Sequence, residues 1–548
     1  MALDHPYLTS QLIAYIGNKR ALLGFLSGVF TELGGRNRID TFLDPFAGSG
    51  AVSRLGKYLG YRVFCNDWEP YSRIINSAHV ATGLSEADRC FDDGLERSVE
   101  EINLSREEAP SYMVRYYAPR ETENADYRRE RLFYTAENAA FIDRSRHLIE
   151  MRYPGWDLDE RAMKAKTLLL ASLLYQAATH ANTSGVFKAF HKGFGGHGKD
   201  AMKRITAPMR LIPPVLFDGV SGCGAFGEEA GEFVLGRSAD LCYLDPPYNQ
   251  HQYGSNYHLL NTIALWDKPE YPLVRGQDGR LRDKAGIRRD WTKTRSDYCY
   301  RETAGKALTG LLERIDARYI VLSYNTEGII PFDELVEILA AYGRIALYSS
   351  DYVTYRGGRQ SISKETHNAE FLLVLHRGGV TSPAVKDRIR RFRKERRASL
   401  LLKGSFHPRR LEENRAGFPN GLIPECRSDD PCRIADGVRE TDIAALKETE
   451  LDRFIAALEG SRFEDYREEC LYLVDLLAGV DGSDRLRRRM ERRFTQILKK
   501  IAHRKYRTAF REVMNSARQK IHLEEEKLEG FAHRLEEIER LAELRIRG

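Results

Sequence analysis

Long apolar runs are absent from this 548-residue chain, and no stretch approaches bilayer-spanning length, which argues against a helical membrane protein. The first residues, MALDHPYLTSQL, lack the basic-then-apolar pattern of a secretory signal. Cysteine is sparse. Cys65, Cys90, Cys223, Cys242, Cys299, Cys426, Cys432 and Cys470 are scattered, with no CxxC pair among them. Cys65 and Cys242 lie in apolar, strand-like runs, where a buried thiol is ordinary. That usage fits a reducing compartment and gives neither a disulfide framework nor a zinc site. No internal repeat or low-complexity tract is present. An excess of one charge sign is small too, at a net +6.

The small excess is unevenly placed. Residues 381–548 hold 38 Lys and Arg against 31 Asp and Glu, while the rest of the chain holds 47 against 48. The basic surplus therefore lies in the last third. Composition changes at GGVTSP, near 378–383. Before that point strand-like runs alternate with helical patterns; after it, charged helical patterns dominate.

Residues 38–48 carry a strand, IDTFLDPF, that ends in a Gly-rich turn. A helix over 50–60 and a second strand, YRVFCN at 61–66, complete a βαβ unit, so the class is α/β. Further strands are expected at 241–244, 318–323, 343–349 and 370–375, the last two as an antiparallel pair at one end of the sheet. Residues 161–181 form a strong helix, followed by a glycine-rich loop, ANTSGVFKAFHKGFGGHG.

The run LCYLDPPYN, 241–249, carries the most chemistry. Its strand stops at two prolines, which have no N–H to continue a ladder. Asp245, Pro246, Pro247 and Tyr248 thus occupy a stiff turn at a strand's C-terminal end, where open α/β sheets bind ligands. A carboxylate and a fixed carbonyl accept two N–H bonds from a planar amine, and the tyrosine stacks on its ring. A plain proline turn is the alternative. At the first βαβ strand, Asp44-Pro45-Phe46-Ala47-Gly48-Ser49-Gly50 lets backbone approach a ligand at a helix N-terminus. The next strand ends in Asp67, placed for ribose hydroxyls. The motif is GSG rather than GxGxxG, which favours a nucleoside-type cofactor such as S-adenosylmethionine over a dinucleotide.

In order, YIGNKR, LDPFAGSG, NDWEP, a long insert and DPPYNQHQYGSNYHLLNTIA resemble the Dam-like alpha-group of adenine-N6 DNA methyltransferases, in the restriction–modification methylase branch. RLFYTAENAAFIDRSRHLIE, ANTSGVFKAFHKG, LSYNTEGI and HNAEFLLVL fit the same branch, over roughly residues 7–377. The resemblance implies a Rossmann-like S-adenosylmethionine-dependent methyltransferase sheet with an inserted recognition region, followed by a C-terminal all-helical basic domain outside it. The expected parts are a cofactor-binding half at 1–84, a mostly helical recognition insert at 85–235, a catalytic half at 236–378 and a helical basic domain at 379–548. It implies double-stranded DNA as partner, base flipping, a cytoplasmic bacterial or phage-encoded enzyme, and leaves room for a separately encoded cognate restriction endonuclease.

It also implies roles. Tyr15, Gly17 and Lys19 line the methionine end of the cofactor and the edge of the target pocket. Asp44, Phe46, Gly48 and Gly50 hold its amino-acid part, and Asp67 takes the ribose. Asp245 and the Pro246 carbonyl accept from the adenine amine, and Tyr248 stacks on the base. Asn182 and Gly185 lie in a loop near target or cofactor. Apart from the resemblance, the basic residues Lys188, His191 and Lys192 are expected to touch phosphate near the flipped base. One departure stands out: in SGCGAFGEEAGEF, Ala225 occupies the place where relatives carry an acid for the cofactor adenine, with Glu228 and Glu229 nearby. Competing readings are a catalytically silent DNA-binding module, or a methyltransferase of cytosine N4 or RNA.

Two basic runs follow the boundary. AVKDRIRRFRKERRASLLLKG, 384–404, offers Arg390, Arg391 and Arg393 to DNA. RRRMERRFTQILKKIAHRKYR, 487–507, sets Met490, Phe494, Ile497, Leu498 and Ile501 on one helix face. Each is read either as a DNA clamp or as the solvated face of a bundle. In the final stretch, Ile521, Leu528, Phe531, Leu535 and Ile538 at helical spacing point to bundle packing over a dimeric coiled coil.

Overall fold

Runs of branched and aromatic residues become the strands of one seven-stranded sheet in the computed structural model: β1 Thr41–Asp44, β2 Arg62–Asn66, β3 Gly224–Phe226, β4 Ser238–Leu244, β5 Asp316–Asn325, β6 Gly343–Ser349 and β7 Glu370–Arg377. The structure describes residues 3–196, 201–271, 273–349, 370–419, 422–427, 430–434, 437–479, 485–521 and 528–547. Three sequence readings extend outside them: positions 367–369 of HNAEFLLVL, 197–198 of the glycine-rich loop, and 522–527 of the final helical stretch. The strand order is β3-β2-β1-β4-β5-β7-β6. All neighbours are parallel except β7, which runs antiparallel to both β5 and β6. The α/β class, the Rossmann-like sheet and the helical C-terminal region are present as expected. β3 was not anticipated. It lies in a stretch read as helical insert, and three residues at a sheet edge are too few to show a period.

The parallel strands are covered on both faces, which explains why they read as unbroken apolar runs rather than alternating ones. Leu241, Cys242, Tyr243 and Leu244 are all buried. On one face, Phe30, Leu55, Val63 and Tyr243 belong to a common core. A second core gathers around the helix Glu160–His180, whose leucines Leu168, Leu169, Leu170, Leu173 and Leu174 are all fully buried. Apolar on every side, that helix belongs inside. Its start is fixed by Asp159, which accepts from the Ala162 N–H at 2.9 Å.

The chain divides into two units, residues 1–385 and 386–548. The second unit is not all-helical as expected: among its described residues it has a short hairpin, β8 Cys426–Arg427 with β9 Asp430–Ile434, beside helices that include Glu448–Gly460, Tyr466–Gly479, Arg485–Ile501, Arg507–Lys520 and Glu529–Arg547. Met490, Phe494, Ile497, Leu498 and Ile501 pack into one core with Ile521, Leu528, Phe531, Leu535 and Ile538. The last helix is therefore seated in the bundle.

Arg54, on the helix Ala51–Tyr58 that follows Gly50, ties the N-terminal segment to the sheet. It is fully buried and donates to the carbonyls of Tyr7, Ser10 and Gln11 at 3.4, 3.0 and 3.3 Å. Burial lowers its pKa to about 10, so it stays charged at neutral pH. Arg54→Met leaves three carbonyls without a donor, at a cost of about 2–4 kcal/mol. A thermal melt of the variant that overlays the parent's would refute this role.

Candidate active site

Leu43 of β1 pairs with Cys242 of β4. The two central strands therefore release Asp44 and Asp245 at the same edge of the sheet, and a cleft of about 930 Å³, part of it open to solvent, lies there. Tyr15, Gly17, Lys19, Asp44, Phe46, Gly48 and Asp67 line it, together with Asp245, Pro246, Pro247 and Tyr248. Gly50 caps the adjoining helix with φ +79°.

The loop at Tyr15–Lys19 is built before it meets the rest of the site. The Asn18 N–H donates to the Tyr15 carbonyl at 3.2 Å, closing a turn in which Gly17 has φ +79°. A Cβ at Gly17 would lie 2.9 Å from the Tyr248 hydroxyl. Tyr253 and Tyr257, following the DPPY turn, hold the loop: Tyr15 stacks on them at 5.3 and 5.0 Å, and the Ile16 N–H donates to the Tyr257 hydroxyl at 2.8 Å. Both tyrosines thus pack the loop, and Tyr253 also borders the cleft.

Lys19 is the centre of the charge arrangement. Its side chain is 3% exposed, with Nζ 2.9 Å from Asp245 Oδ1, 3.8 Å from a Glu370 carboxylate oxygen and 5.1 Å from the Tyr248 ring centre. Burial works against its charge, but Asp245 and Glu370 outweigh that and hold its pKa well above the usual lysine value. Burial raises Asp245 to about 6; Lys19 opposes the rise and Glu370 adds to it. Asp44 is raised to about 7 by burial, against a 2.6 Å hydrogen bond from the Ser53 hydroxyl. Its other oxygen, Oδ1, is buried with no hydrogen-bond partner among the described residues. Asp67 accepts from the Gly48 and Glu69 N–H groups, both at 2.9 Å, and burial raises its pKa.

Two buried carboxylates had not been singled out from the sequence. Glu69 lines the cleft, accepts from Asn261 at 2.5 Å and from Thr294 at 3.2 Å, and is raised by burial to about 7. Glu370 opens β7. The only sequence signal for it was a charge at the head of the apolar run FLLVL. Ala225 sits within β3 opposite Cys65, whereas Glu228 and Glu229 border the cleft. Glu228 pairs with Arg237, and Glu229 caps the short helix Ala230–Val234. Among the described residues, the acids bordering the cleft are Asp44, Asp67, Glu69, Glu228, Glu229 and Asp245, and the cation is Lys19.

The residues expected to meet DNA are scattered. Asn182 is buried and organises its own loop, donating to the Leu132 and His191 carbonyls at 2.9 and 3.3 Å and accepting from the Gly195 N–H at 3.3 Å. Gly185 has φ +98° in that loop, Lys188 and Lys192 are exposed and His191 is half-buried. Arg391 is engaged by Glu395 and by the Ala444 and Leu446 carbonyls, Arg390 by Asp387, and Arg393 also has a partner. His258 is buried beside the Phe187 carbonyl at 2.9 Å, and desolvation lowers it to about 4, so it is neutral.

The chain belongs to the D12 class of N6 adenine-specific DNA methyltransferases, whose family model matches residues 15–278. Family membership implies S-adenosylmethionine as methyl donor. The type II methyltransferase M.NlaIII of Neisseria lactamica is 30% identical over 369 residues, 66% of this chain and 99% of that protein. The type II methyltransferase M.CviAII of Paramecium bursaria Chlorella virus 1 is 28% identical over 370 residues, 66% of this chain and 98% of that protein. The modification methylase LlaI of Lactococcus lactis subsp. lactis is 29% identical over 373 residues, 66% of this chain; the match spans 54% of that relative's length.

Two outcomes follow from this geometry. Ionised Asp245 is the stronger acceptor and the form that Lys19 pairs with, so kcat/KM should fall as pH drops below about 6. Glu370→Gln removes a charge that raises Asp245, so the acidic limb moves to lower pH; an unmoved limb would show that Glu370 does not act through the pair. Gly17→Ala meets both the positive φ and the Tyr248 hydroxyl, a strain of about 1–3 kcal/mol. It should lower methylation more than it lowers the melting temperature, and parent-like turnover would count against the turn's role.

Proposed function

We propose that the chain transfers a methyl group from S-adenosylmethionine to N6 of an adenine flipped out of duplex DNA, as the cytoplasmic modification enzyme of a restriction–modification system with a separately encoded endonuclease. The observation that carries the reading is Asp245, fixed on its proline turn at the cleft, with Lys19 on one oxygen and no partner among the described residues on the other. The names of the relatives, type II methyltransferases and modification methylases, support the biological role.

The cleft fits a cationic nucleoside. Asp44 Oδ1 awaits a donor such as an ammonium, and a Cβ at Gly48 would lie 2.8 Å from the Tyr15 ring, so backbone alone fits there. An acid-rich border with one lysine favours net positive charge. Phe46, packed edge-on against Tyr298 at 5.2 Å, adds an aromatic wall. When bound, S-adenosylmethionine supplies an electrophilic methyl group on a sulfonium.

The rest is done by side chains of this protein. An adenine amine is a weak nucleophile because its lone pair is delocalised into the ring. Asp245 Oδ2 and the Pro246 carbonyl accept its two N–H bonds, bend it toward sp³ and localise that pair. Positive charge then develops on the nitrogen beside a carboxylate in a buried site, where it is stabilised most. Lys19 keeps Asp245 ionised and oriented. Tyr248 offsets the stacking lost on flipping. Gly185, Lys188, His191 and Lys192 are assigned to DNA near the flipped base, with Asn182 holding their loop.

Incubation with labelled S-adenosylmethionine and mixed-sequence duplex DNA, followed by nucleoside mass spectrometry, should yield N6-methyladenine. Asp245→Ala should lose roughly 10²-fold or more of the rate. N4-methylcytosine, or no methylated base, would defeat the reading.

A further inference from the structure

The two basic runs of the last third have similar compositions and different environments. Along the helix Pro383–Leu402 several cations are paired: Lys394 with Glu448 and Asp452, Arg397 with Glu459, Arg391 with Glu395 and Arg390 with Asp387. Residues 499–511, KKIAHRKYRTAFR, contain six Lys and Arg and no Asp or Glu. All six are exposed, and none has a carboxylate partner among the described residues. The next acid, Glu512, is taken by Arg467. Upstream on the helix Arg485–Ile501, Arg488 and Arg492 are exposed one turn apart, and with Lys499 they continue the same stripe.

Eleven residues of helix from Arg488 to Lys499 rise about 16 Å. That distance matches about five base-pair steps of duplex DNA. The stripe then runs into the turn Arg504–Tyr506 and the positive end of the helix Arg507–Lys520. So many uncompensated cations repel one another, and a ligand with regularly spaced negative charge relieves that repulsion. A membrane surface fits less well. Lying at a bilayer requires apolar residues beside the cations, and here Met490, Phe494, Ile497, Leu498 and Ile501 all face the core.

We infer that Arg488, Arg492, Lys499, Arg504, Lys505 and Arg507 form a second, sequence-independent contact to the sugar–phosphate backbone of duplex DNA, separate from the cleft. The inference rests on DNA being the substrate. It predicts that the C-terminal unit adds non-specific affinity and salt sensitivity without touching the methyl-transfer chemistry.

The test measures binding of the full-length chain to a duplex of arbitrary sequence, without methyl donor, across a salt series. Arg504→Gln, Lys505→Gln and Arg507→Gln together should lower the slope of log K against log salt by about 2 to 3 and weaken binding roughly tenfold near 0.1 M salt. Arg488→Gln with Arg492→Gln should act in the same direction on an independent part of the stripe. Lys394→Gln with Arg397→Gln, whose charges are already paired, should leave the slope unchanged. Equal slopes for the parent and both stripe variants would overturn the inference. So would loss of binding to anionic vesicles with DNA affinity intact. Methylation is not the readout. A reduced slope with no N6-methyladenine formed would therefore uphold the contact while defeating the proposed reaction, and the converse result would do the opposite.

Discussion

A single ammonium, Lys19, holds the catalytic end of the sheet together. It comes from a loop near the N-terminus, meets Asp245 at the end of β4 and approaches Glu370 at the start of β7. Three segments far apart in sequence thus share one buried charge. Burying a lysine is costly unless carboxylates offset the lost hydration, and burying two carboxylates is costly without the lysine. Neither side is stable there alone, so the site forms as a unit. The group keeps a net negative charge, with Asp44 nearby.

The same constraint explains the strand order. Asp44 and Asp245 are about two hundred positions apart in the sequence. Because β4 pairs with β1 rather than with β3, the two turns become neighbours. The long insert between them contributes to the second core through the helices Ala136–Arg152 and Glu160–His180, and so leaves the strand ends open. Tyr15, Tyr253 and Tyr257 then lock the N-terminal loop over the edge of the site with ring contacts of 5.0–6.1 Å.

How much of this was legible depended on whether a signal was local. The strands ending in Asp44 and Asp245 were visible because proline and glycine punctuate them, and the loop at Gly17 because its turn chemistry is contiguous. Glu370 and Glu69 were not visible, since their meaning lies in partners some 190 to 350 positions distant: Asn261 for Glu69 and Lys19 for Glu370. β3 was hidden by its length. Asn182 was expected in a loop near target or cofactor, and only the fold reveals that its amide is spent on the Leu132 and His191 carbonyls and the Gly195 N–H. The two basic runs could not be told apart by composition, because pairing depends on which acids the bundle brings alongside, and those are supplied by the helix Glu448–Gly460.

An acid-rich cleft creates a difficulty for any polyanionic substrate. The charges that favour a cationic methyl donor repel phosphates within about 10 Å at moderate salt. The base that enters is neutral, but the backbone that carries it is not. Cations must therefore stand outside the cleft, on surfaces whose own acids are already occupied. Lys188 and Lys192 are exposed in the methyltransferase unit, as is the Arg488–Arg507 stripe in the C-terminal unit. The nearly even overall charge conceals two opposed fields: a negative one at the cleft and positive ones on outer surfaces. The unpaired cations of the second unit are where the basic surplus of the last third becomes available to a ligand.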